Sequence, residues 1–355
     1  MDARALDFMK SLLDSPGPSS FEVLPARAWR AEAGRFADRV DADVSGNSFA
    51  TLNTDASPRI MLAGHIDEIG VMVTCIDDEG YLSFDPVGGW DHQVFVGQRV
   101  QLLGQAGTVV GVIGKKAIHL MDKDDREKVS KAEDLWIDIG ALGRKEAEAR
   151  VRVGDAGVLA AGVLEFPNGR IVSRSLDNRI GAFVILEALR LLSADRPAAR
   201  VTAAATTREE ISYTGGGARP GASGLVADVA IVVDVTHATD YPGVEKRRHG
   251  DYKLGGGPVL TRGAAMNPVV FDLLVASAEA EGIPYTVEGA ARATSTDADN
   301  IFTALRGIAT GLVSVPLRYM HSPNEMVALE DVERTARLLA AFSRRVTSAT
   351  DFIPR

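Results

Sequence analysis

Four apolar runs in this sequence each end in a residue type that can ligate a metal. Ile60 to Gly64 runs into His65-Ile66-Asp67, and Val201 to Thr207 runs toward Glu209-Glu210. Val229 to Val233 runs into Asp234, and Val313 to Met320 runs into His321. A fifth candidate, Asp177, stands in Ser173-Arg174-Ser175-Leu176-Asp177-Asn178, just before a helical stretch. Each residue alone has an ordinary reading. A lone strand-end His or Asp forms a turn, Asp177 caps a helix N-terminus, and Glu209-Glu210 is solvated charge. Together they would be five coincidences at one edge of one sheet, and a single metal site accounts for all five. Open α/β sheets bind ligands outside the carboxyl ends of their strands.

With one glutamate kept aside, the set holds two histidines and three carboxylates, a mixture suited to Zn²⁺, Co²⁺ or Mn²⁺. Two cations about 3.5–4 Å apart need a bridging anion, and a carboxylate can bridge them. Asp67 follows His65 by two residues, so along an extended strand both side chains share a face. Asp67 can then accept the second imidazole N–H and fix the tautomer. The glutamate kept aside can take a proton from a water on the metal. Other catalytic motifs are missing: there is no H-E-x-x-H, C-x-x-C, P-loop or G-x-S-x-G elbow. Gly215-Gly216-Gly217 and Gly255-Gly256-Gly257 lack a helix signature after them and read as loops or close backbone approaches.

The elements that would position these residues can be read from periodicity. Leu6, Met9, Leu12 and Leu13 share a helical face, stopped by Pro16-Gly17-Pro18. A second helix spans Val23 to Phe36, and short strands lie near Phe49 to Leu52 and Ile60 to Gly64. From Glu68 to Leu164 the texture is short β-like runs punctuated by glycine: Ile69 to Ile76, Tyr81 to Phe84, Gln98 to Leu103, Gly107 to Ile113, Leu135 to Ile139 and Val151 to Val153. That spacing predicts a small barrel or sandwich. Cys75, the single cysteine, sits in the first of these runs and reads as a small buried hydrophobe. Asp122 to Lys131 is a charged stretch and reads as a solvated loop.

After Ile171 strands and helices alternate. Helices are predicted at Gly181 to Leu192, Pro268 to Glu281 and Val327 to Val346, with strands at Val201 to Thr207, Leu225 to Val235 and Ile308 to Val315. The fold class is α/β, with a doubly wound, mainly parallel sheet interrupted by a β-rich insertion. Residues 1–67 and 165–355 would form the α/β domain and 68–164 the insertion.

The chain has 355 residues, 46% hydrophobic and 25% charged, enough for two domains with buried cores. Asp and Glu number 48 against 39 Lys and Arg, a net charge of -9, which argues against nucleic-acid or anionic-membrane partners. One cysteine excludes an internal disulfide framework. No signal peptide and no long apolar span is read, so the expected location is the cytoplasm. His92, His119 and His249 read as structural or exposed, and His237 as a loop residue. Lys246-Arg247-Arg248-His249 reads as a solvated basic loop.

The motifs Ala63-Gly64-His65-Ile66-Asp67-Glu68-Ile69-Gly70, Ser175-Leu176-Asp177-Asn178-Arg179, Arg208-Glu209-Glu210, Val233-Asp234-Val235-Thr236 and Arg318-Tyr319-Met320-His321-Ser322-Pro323 come in an order that resembles the tetrahedral (TET), glutamyl-aminopeptidase-like metallo-aminopeptidases. Some of these carry an older label of cellulase. The resemblance covers nearly the whole chain. It implies two divalent metals, one held by His65, Asp177 and Asp234, the other by Asp177, Glu210 and His321. It also implies Glu209 as general base and acid, Asp67 as the residue that orients His65, and a β-rich dimerisation domain. Dimers would build a hollow homododecamer acting on short peptides. Arg292-Ala293-Thr294-Ser295-Thr296-Asp297 departs from the family's glycine-rich approach, where the first side chain is received; the lean is to neutral apolar residues such as Leu. The alternatives are an N-acyl deacylase, a glycosidase or a non-catalytic scaffold. A glycosidase would need a carboxylate pair without histidines, and a scaffold would show a broken ligand set.

Overall fold

The computed structural model describes residues 1–211 and 216–355. The chain opens with α1 (Ala3–Asp14) and α2 (Val23–Ala33), then β1 (Arg39–Ala42), β2 (Ser48–Leu52) and β3 (Arg59–His65). Next come β4 (Gly70–Ile76), β5 (Leu82–Val87), β6 (Arg99–Gly104), β7 (Gly107–Gly114), β8 (Trp136–Asp138), α3 (Arg144–Glu148) and β9 (Ala156–Leu159). The chain returns through β10 (Leu164–Phe166), β11 (Arg170–Ser173), α4 (Leu176–Ala194), β12 (Arg200–Thr206), α5 (Ala218–Leu225) and β13 (Val229–His237). It finishes with α6 (Lys246–His249), β14 (Val259–Gly263), α7 (Pro268–Ala280), β15 (Thr286–Ala290), α8 (Ala298–Ile301), β16 (Ala309–Leu317), β17 (Glu325–Ala328) and α9 (Leu329–Arg345).

Eight strands form one sheet in the order β1-β2-β12-β3-β13-β16-β14-β15. The four central strands, β12, β3, β13 and β16, run parallel to one another. β2 and β14 join them antiparallel. Alternation along each strand splits the apolar residues between two faces. Ile60, Leu62, Ile231, Val233, Val313 and Val315 meet α1, α4, α7 and α9 in the larger core. Met61, Ala63, Ala230, Val232 and Leu312 meet α5 and α8 on the other face. The fold is therefore α/β and wound on both faces of a parallel-rich sheet.

The segment after β3 closes a six-stranded antiparallel barrel, β4-β5-β8-β7-β6-β9. It has an apolar interior of its own, including Val71, Phe84, Phe95, Leu102 and Ile137. The sixth strand is Ala156–Leu159, not Val151 to Val153. Val151 is buried as part of the turn that follows α3, so its apolar run marks burial without strand geometry. Cys75 is exposed. A register shift between Val73 and Cys75 breaks the in-out alternation of β4, which turns the thiol outward. Leu225 ends α5 and does not begin a strand, because Val226 adopts a left-handed cap before β13. The solvated reading of Asp122 to Lys131 agrees with short 3₁₀ turns and no buried residue from Asp124 to Glu127.

Strand β3 and helix α4 touch backbone to backbone. A Cβ on Gly64 would lie 2.7 Å from the Gly181 carbonyl carbon. Gly181 itself leaves no room, since a Cβ there would lie 2.3 Å from Asn178 Oδ1. Asn178 Oδ1 accepts from Gly181 N at 3.0 Å, and Asn178 Nδ2 donates to Val233 O at 2.8 Å. These contacts tie the start of α4 to β3 and β13. Gly64→Ala forces the strand and helix apart and should destabilise the protein by about 1–3 kcal/mol, the usual cost of overpacking. A thermal melt checks this; an unchanged midpoint would show that the contact can relax freely.

Candidate metal centre

The four parallel strands deliver their carboxyl ends to one line. His65 is the last residue of β3, and Asp234 lies in β13 beside it. Glu209 and Glu210 follow β12, and His321 follows β16. Asp177 comes from the start of α4. There the backbone of Asp177 and Asn178 is non-helical, and Asp177 is not an N-cap: its carboxylate faces two imidazoles. Asp177 Oδ1 lies 3.3 Å from His65 Nε2, and Asp177 Oδ2 lies 3.5 Å from His321 Nε2. His321 Nε2 is also 3.3 Å from Glu210 Oε2. His65 Nε2 is 3.8 Å from Glu209 Oε2 and 4.0 Å from Asp234 Oδ1. Six of the seven predicted side chains therefore converge. They line one cleft of about 920 Å³.

The surroundings hold these groups in orientation. The Gly89 carbonyl, 2.6 Å from His321 Nδ1, can only accept, so Nδ1 carries the hydrogen. In the neutral form of the ring, the form that ligates a metal, this would direct the Nε2 lone pair toward Asp177 and Glu210. Asp67 is fully buried, with Oδ1 3.3 Å from His65 Nδ1. It also accepts from Ser19 Oγ at 2.5 Å and from the N–H groups of Glu209 and Glu210, each at 3.2 Å. One carboxylate thus fixes both the imidazole and the turn bearing the two glutamates. Arg208 and His321 both have left-handed backbones, with φ of 61° and 58°, as is common where side chains are aimed for function.

Burial and mutual repulsion disturb every charge in the cluster. Burial pushes Glu209 up to about 10; His65 opposes this, while Asp234, Asp297 and Glu210 add to it. Burial, then the charge of Asp177, raises Glu210. Asp234 is raised well above the usual carboxylate range, again chiefly by burial. Burial would also raise Asp177, but His321 and His65 outweigh it and hold the group low. Burial lowers both histidines, yet the adjoining carboxylates outweigh it and leave them raised. With all groups ionised, four carboxylates would outnumber two imidazoles in a buried place, which is why Glu209, Glu210 and Asp234 resist ionising together. Among the described residues, Glu210 Oε1 is buried without a hydrogen-bond partner. Ligand atoms of His65, Asp177 and Glu210 lie within 4.8 Å of one another. Oxygen and imidazole donors with surplus negative charge fit divalent cations such as zinc.

Two buried acids at the site were not singled out as site residues by the sequence reading. Glu325 Oε2 accepts from Asp177 N and Glu325 Oε1 accepts from His321 N, both at 2.9 Å. It reaches them from β17, which pairs with β11 immediately before Asp177. Asp297 accepts from Thr206 Oγ1 at 2.5 Å and stands behind the cluster. A strand acid flanked by ordinary residues, as in Asn324-Glu325-Met326, carries no spacing signal; its full burial is the signal, and burial belongs to the fold. Of the glycine runs, Gly215 lies outside the described residues. Gly216 and Gly217 press on the Thr207–Arg208 backbone and on Asn47, so they are close approaches. Gly255 N and Gly257 N donate to the buried Asp331, again a structural role. His237 lines the cleft, while the Lys246 to His249 cluster is exposed on α6.

Residues 46–338 match the model of the M42 glutamyl aminopeptidase family. The chain belongs to that family. It is an enzyme of the aminopeptidase class, a peptide hydrolase. The lysyl aminopeptidase of Pyrococcus furiosus is 33% identical over 354 residues, 98% of this chain and 99% of that protein. The structure of a TET aminopeptidase from Thaumarchaeota archaeon SCGC AB-539-E09 superposes with a TM-score of 0.91 at 33% identity, covering 97% of each chain. The TET1 peptidase of Pyrococcus horikoshii, described as assembling into a tetrahedron or a large octahedral shell, gives a TM-score of 0.85 at 29% identity. That match covers 96% of this chain and all of the other. Among the described residues no helix is long and apolar enough to cross a membrane.

Glu325 generates a test of the site's geometry. Glu325→Gln keeps the shape but can accept only one of the two N–H groups. Divalent-cation affinity, read by calorimetric titration, should fall about 10- to 100-fold, as for other outer partners of metal ligands. Unchanged affinity would show that Asp177 and His321 need no help from Glu325.

Proposed function

We propose that this protein is a metal-dependent aminopeptidase that removes the first residue from short peptides. In this reading His65, Asp177 and Asp234 hold one divalent cation. Asp177, Glu210 and His321 hold a second, and Asp177 bridges. The observation that carries it is the single Asp177 carboxylate, whose two oxygens face His65 and His321 separately. When bound, the cations supply Lewis acidity to the scissile carbonyl and to the attacking water. Zinc suits the donor set, and cobalt or manganese could replace it.

The chain's own groups supply the proton chemistry. Glu209 Oε2 takes the proton from the attacking water and returns it to the leaving amine. Asp67 orients His65 through Nδ1 and steadies the Glu209–Glu210 turn. The surplus carboxylate charge attracts the free α-ammonium of a peptide, and an acetylated terminus lacks that charge. Leu312 and Met320 on the cleft wall accommodate an apolar first side chain such as Leu. A deacylase would not need that ammonium.

Residues 68–164 act in this reading as a dimerisation domain, and residues 1–67 with 165–355 as the catalytic domain. Exposed Val110, Val112 and Leu142 around the barrel give an apolar surface for pairing. The described assemblies of the Pyrococcus horikoshii relative support a homododecamer of dimers, working in the cytoplasm on peptides.

Three measurements test this reading. Chelation should abolish release of free N-terminal residues, and zinc or cobalt should restore it. Asp177→Ala should lose both metals together by elemental analysis, whereas Glu209→Gln should keep both and lose about 10²–10⁴-fold in turnover. Metal loss in Glu209→Gln with retention in Glu210→Gln would swap the two roles. Light scattering should give a particle many times the mass of one chain; a monomer would sink the assembly proposal.

A further inference from the structure

The turn that carries Glu209 and Glu210 is held by its backbone. Four consecutive N–H groups each donate to a buried side-chain oxygen from another part of the chain. Thr207 N donates to Asn47 Oδ1 at 3.1 Å, Arg208 N to Glu22 Oε1 at 3.2 Å, Glu209 N to Asp67 Oδ1 at 3.2 Å and Glu210 N to Asp67 Oδ2 at 3.2 Å. Asn47 Nδ2 also donates to Gly217 O at 2.8 Å, and Gly217 N donates to Thr207 O at 2.7 Å, so the two flanks of the turn are joined. Asn47 thus closes the turn and Asp67 serves His65 as well. Glu22, only 6% exposed, is the member of this set that neither task explains.

Glu22 stands at the N-cap position of α2 but makes no side-chain cap bond there. A capping carboxylate accepts from an N–H two or three residues onward. Here Oε1 turns back instead, accepting from Ser20 N at 2.7 Å and from Arg208 N. Glu22 is not among the described residues lining the cleft. The segment before it is laced to the end of β3: Ser19 N donates to Glu68 O at 3.1 Å, and Ser19 Oγ donates to Asp67. Burial, then the charge of Asp67, pushes Glu22 up to about 7, so a neutral acceptor suits this place as well as an ionised one.

We propose that Glu22 is a positioning residue for Glu209, fixing the backbone from which the general base reaches the attacking water. This rests on the aminopeptidase reading of the cluster. In that reading Glu210 is a ligand, so a bound cation holds its carboxylate in place. Glu209 is not a ligand, and its Oε2 is 3.8 Å from His65 Nε2, beyond hydrogen-bond length. Its place is therefore set by the backbone of the turn. Arg208 has a left-handed φ of 61°, a conformation that persists in a non-glycine residue when its surroundings impose it. The bond from Arg208 N to Glu22 supplies that restraint at the residue just before Glu209.

The test uses the full-length enzyme loaded with zinc and a peptide beginning with Leu. Glu22→Met fills the space but accepts no hydrogen bond, whereas Glu22→Gln keeps an acceptor oxygen. Glu22→Met should lower kcat about 10- to 100-fold, the effect of a misplacement of about 1 Å, with KM and metal content unchanged. Glu22→Gln should recover most of that loss. The deciding comparison is a double-mutant cycle with Glu209→Gln. Once the base is gone its position no longer matters, so adding Glu22→Met to Glu209→Gln should change the residual kcat by less than about twofold. A loss in that background as large as in the wild type would overturn the assignment. So would an unchanged kcat or lost metal in Glu22→Met, or a Glu22→Gln no better than Glu22→Met. If Glu22→Met does not fold, Glu22→Asp, one methylene shorter, enters the same cycle. A Glu209→Gln as active as the wild type would instead sink the reading of Glu209 as the base, and this assignment with it.

Discussion

Four carboxylates and two imidazoles packed into one buried place repel and desolvate one another more than they attract. Nothing in such a cluster is stable by itself, so the surrounding fold has to hold it together. The parallel order of β12, β3, β13 and β16 does the first part by ending adjacent strands side by side. The close backbone contact of Gly64 with Gly181 does the second part, bringing the start of α4 up against the end of β3. Asp67 and Glu325 do the third. Each is a fully buried acid that satisfies backbone N–H groups of the very segments bearing the site residues. Divalent charge is the remaining ingredient such an arrangement favours.

The large buried ion cluster beside the site follows the same logic with cations from the protein. Glu68 pairs with Arg174 at 2.9 Å and Arg179 at 2.8 Å, all three buried. Glu68 Oε1 also accepts from Gly17 N at 3.1 Å. Here the protein supplies its own positive charge, and burial is tolerated because both signs are present. At the centre no arginine or lysine among the described residues takes that role. The two neighbouring clusters thus differ in one respect, the source of the balancing charge.

Much of this was legible in the sequence because strand ends are visible there. His65, Asp234 and His321 each follow an apolar run whose length and composition mark a buried parallel strand, and a parallel sheet puts such ends on one edge. The β-rich texture of the middle segment likewise marks the barrel. What was hidden depended on packing. Glu325 looks like any acid in a short strand, and only its burial beneath Asp177 reveals its task. Cys75 follows an alternation that a register shift interrupts, and no residue in that run announces the shift. Val151 to Val153 has the right composition for a strand, but α3 packs the first of these residues into a turn.

The hydrogen bond from His321 to Gly89 links the centre to the segment that connects the barrel strands β5 and β6. Its acceptor is a main-chain oxygen, which every amino acid would supply. Apart from Gly89 itself, where a Cβ would lie 3.3 Å from His321 Nδ1, side-chain scanning across the barrel would pass over this contact without a signal. Grafting would not: a barrel exchanged between relatives has to bring the 88–90 backbone along on the same path, or the imidazole loses its orientation. The barrel and the chemistry it touches are for this reason one structural unit, even though their apolar cores are separate.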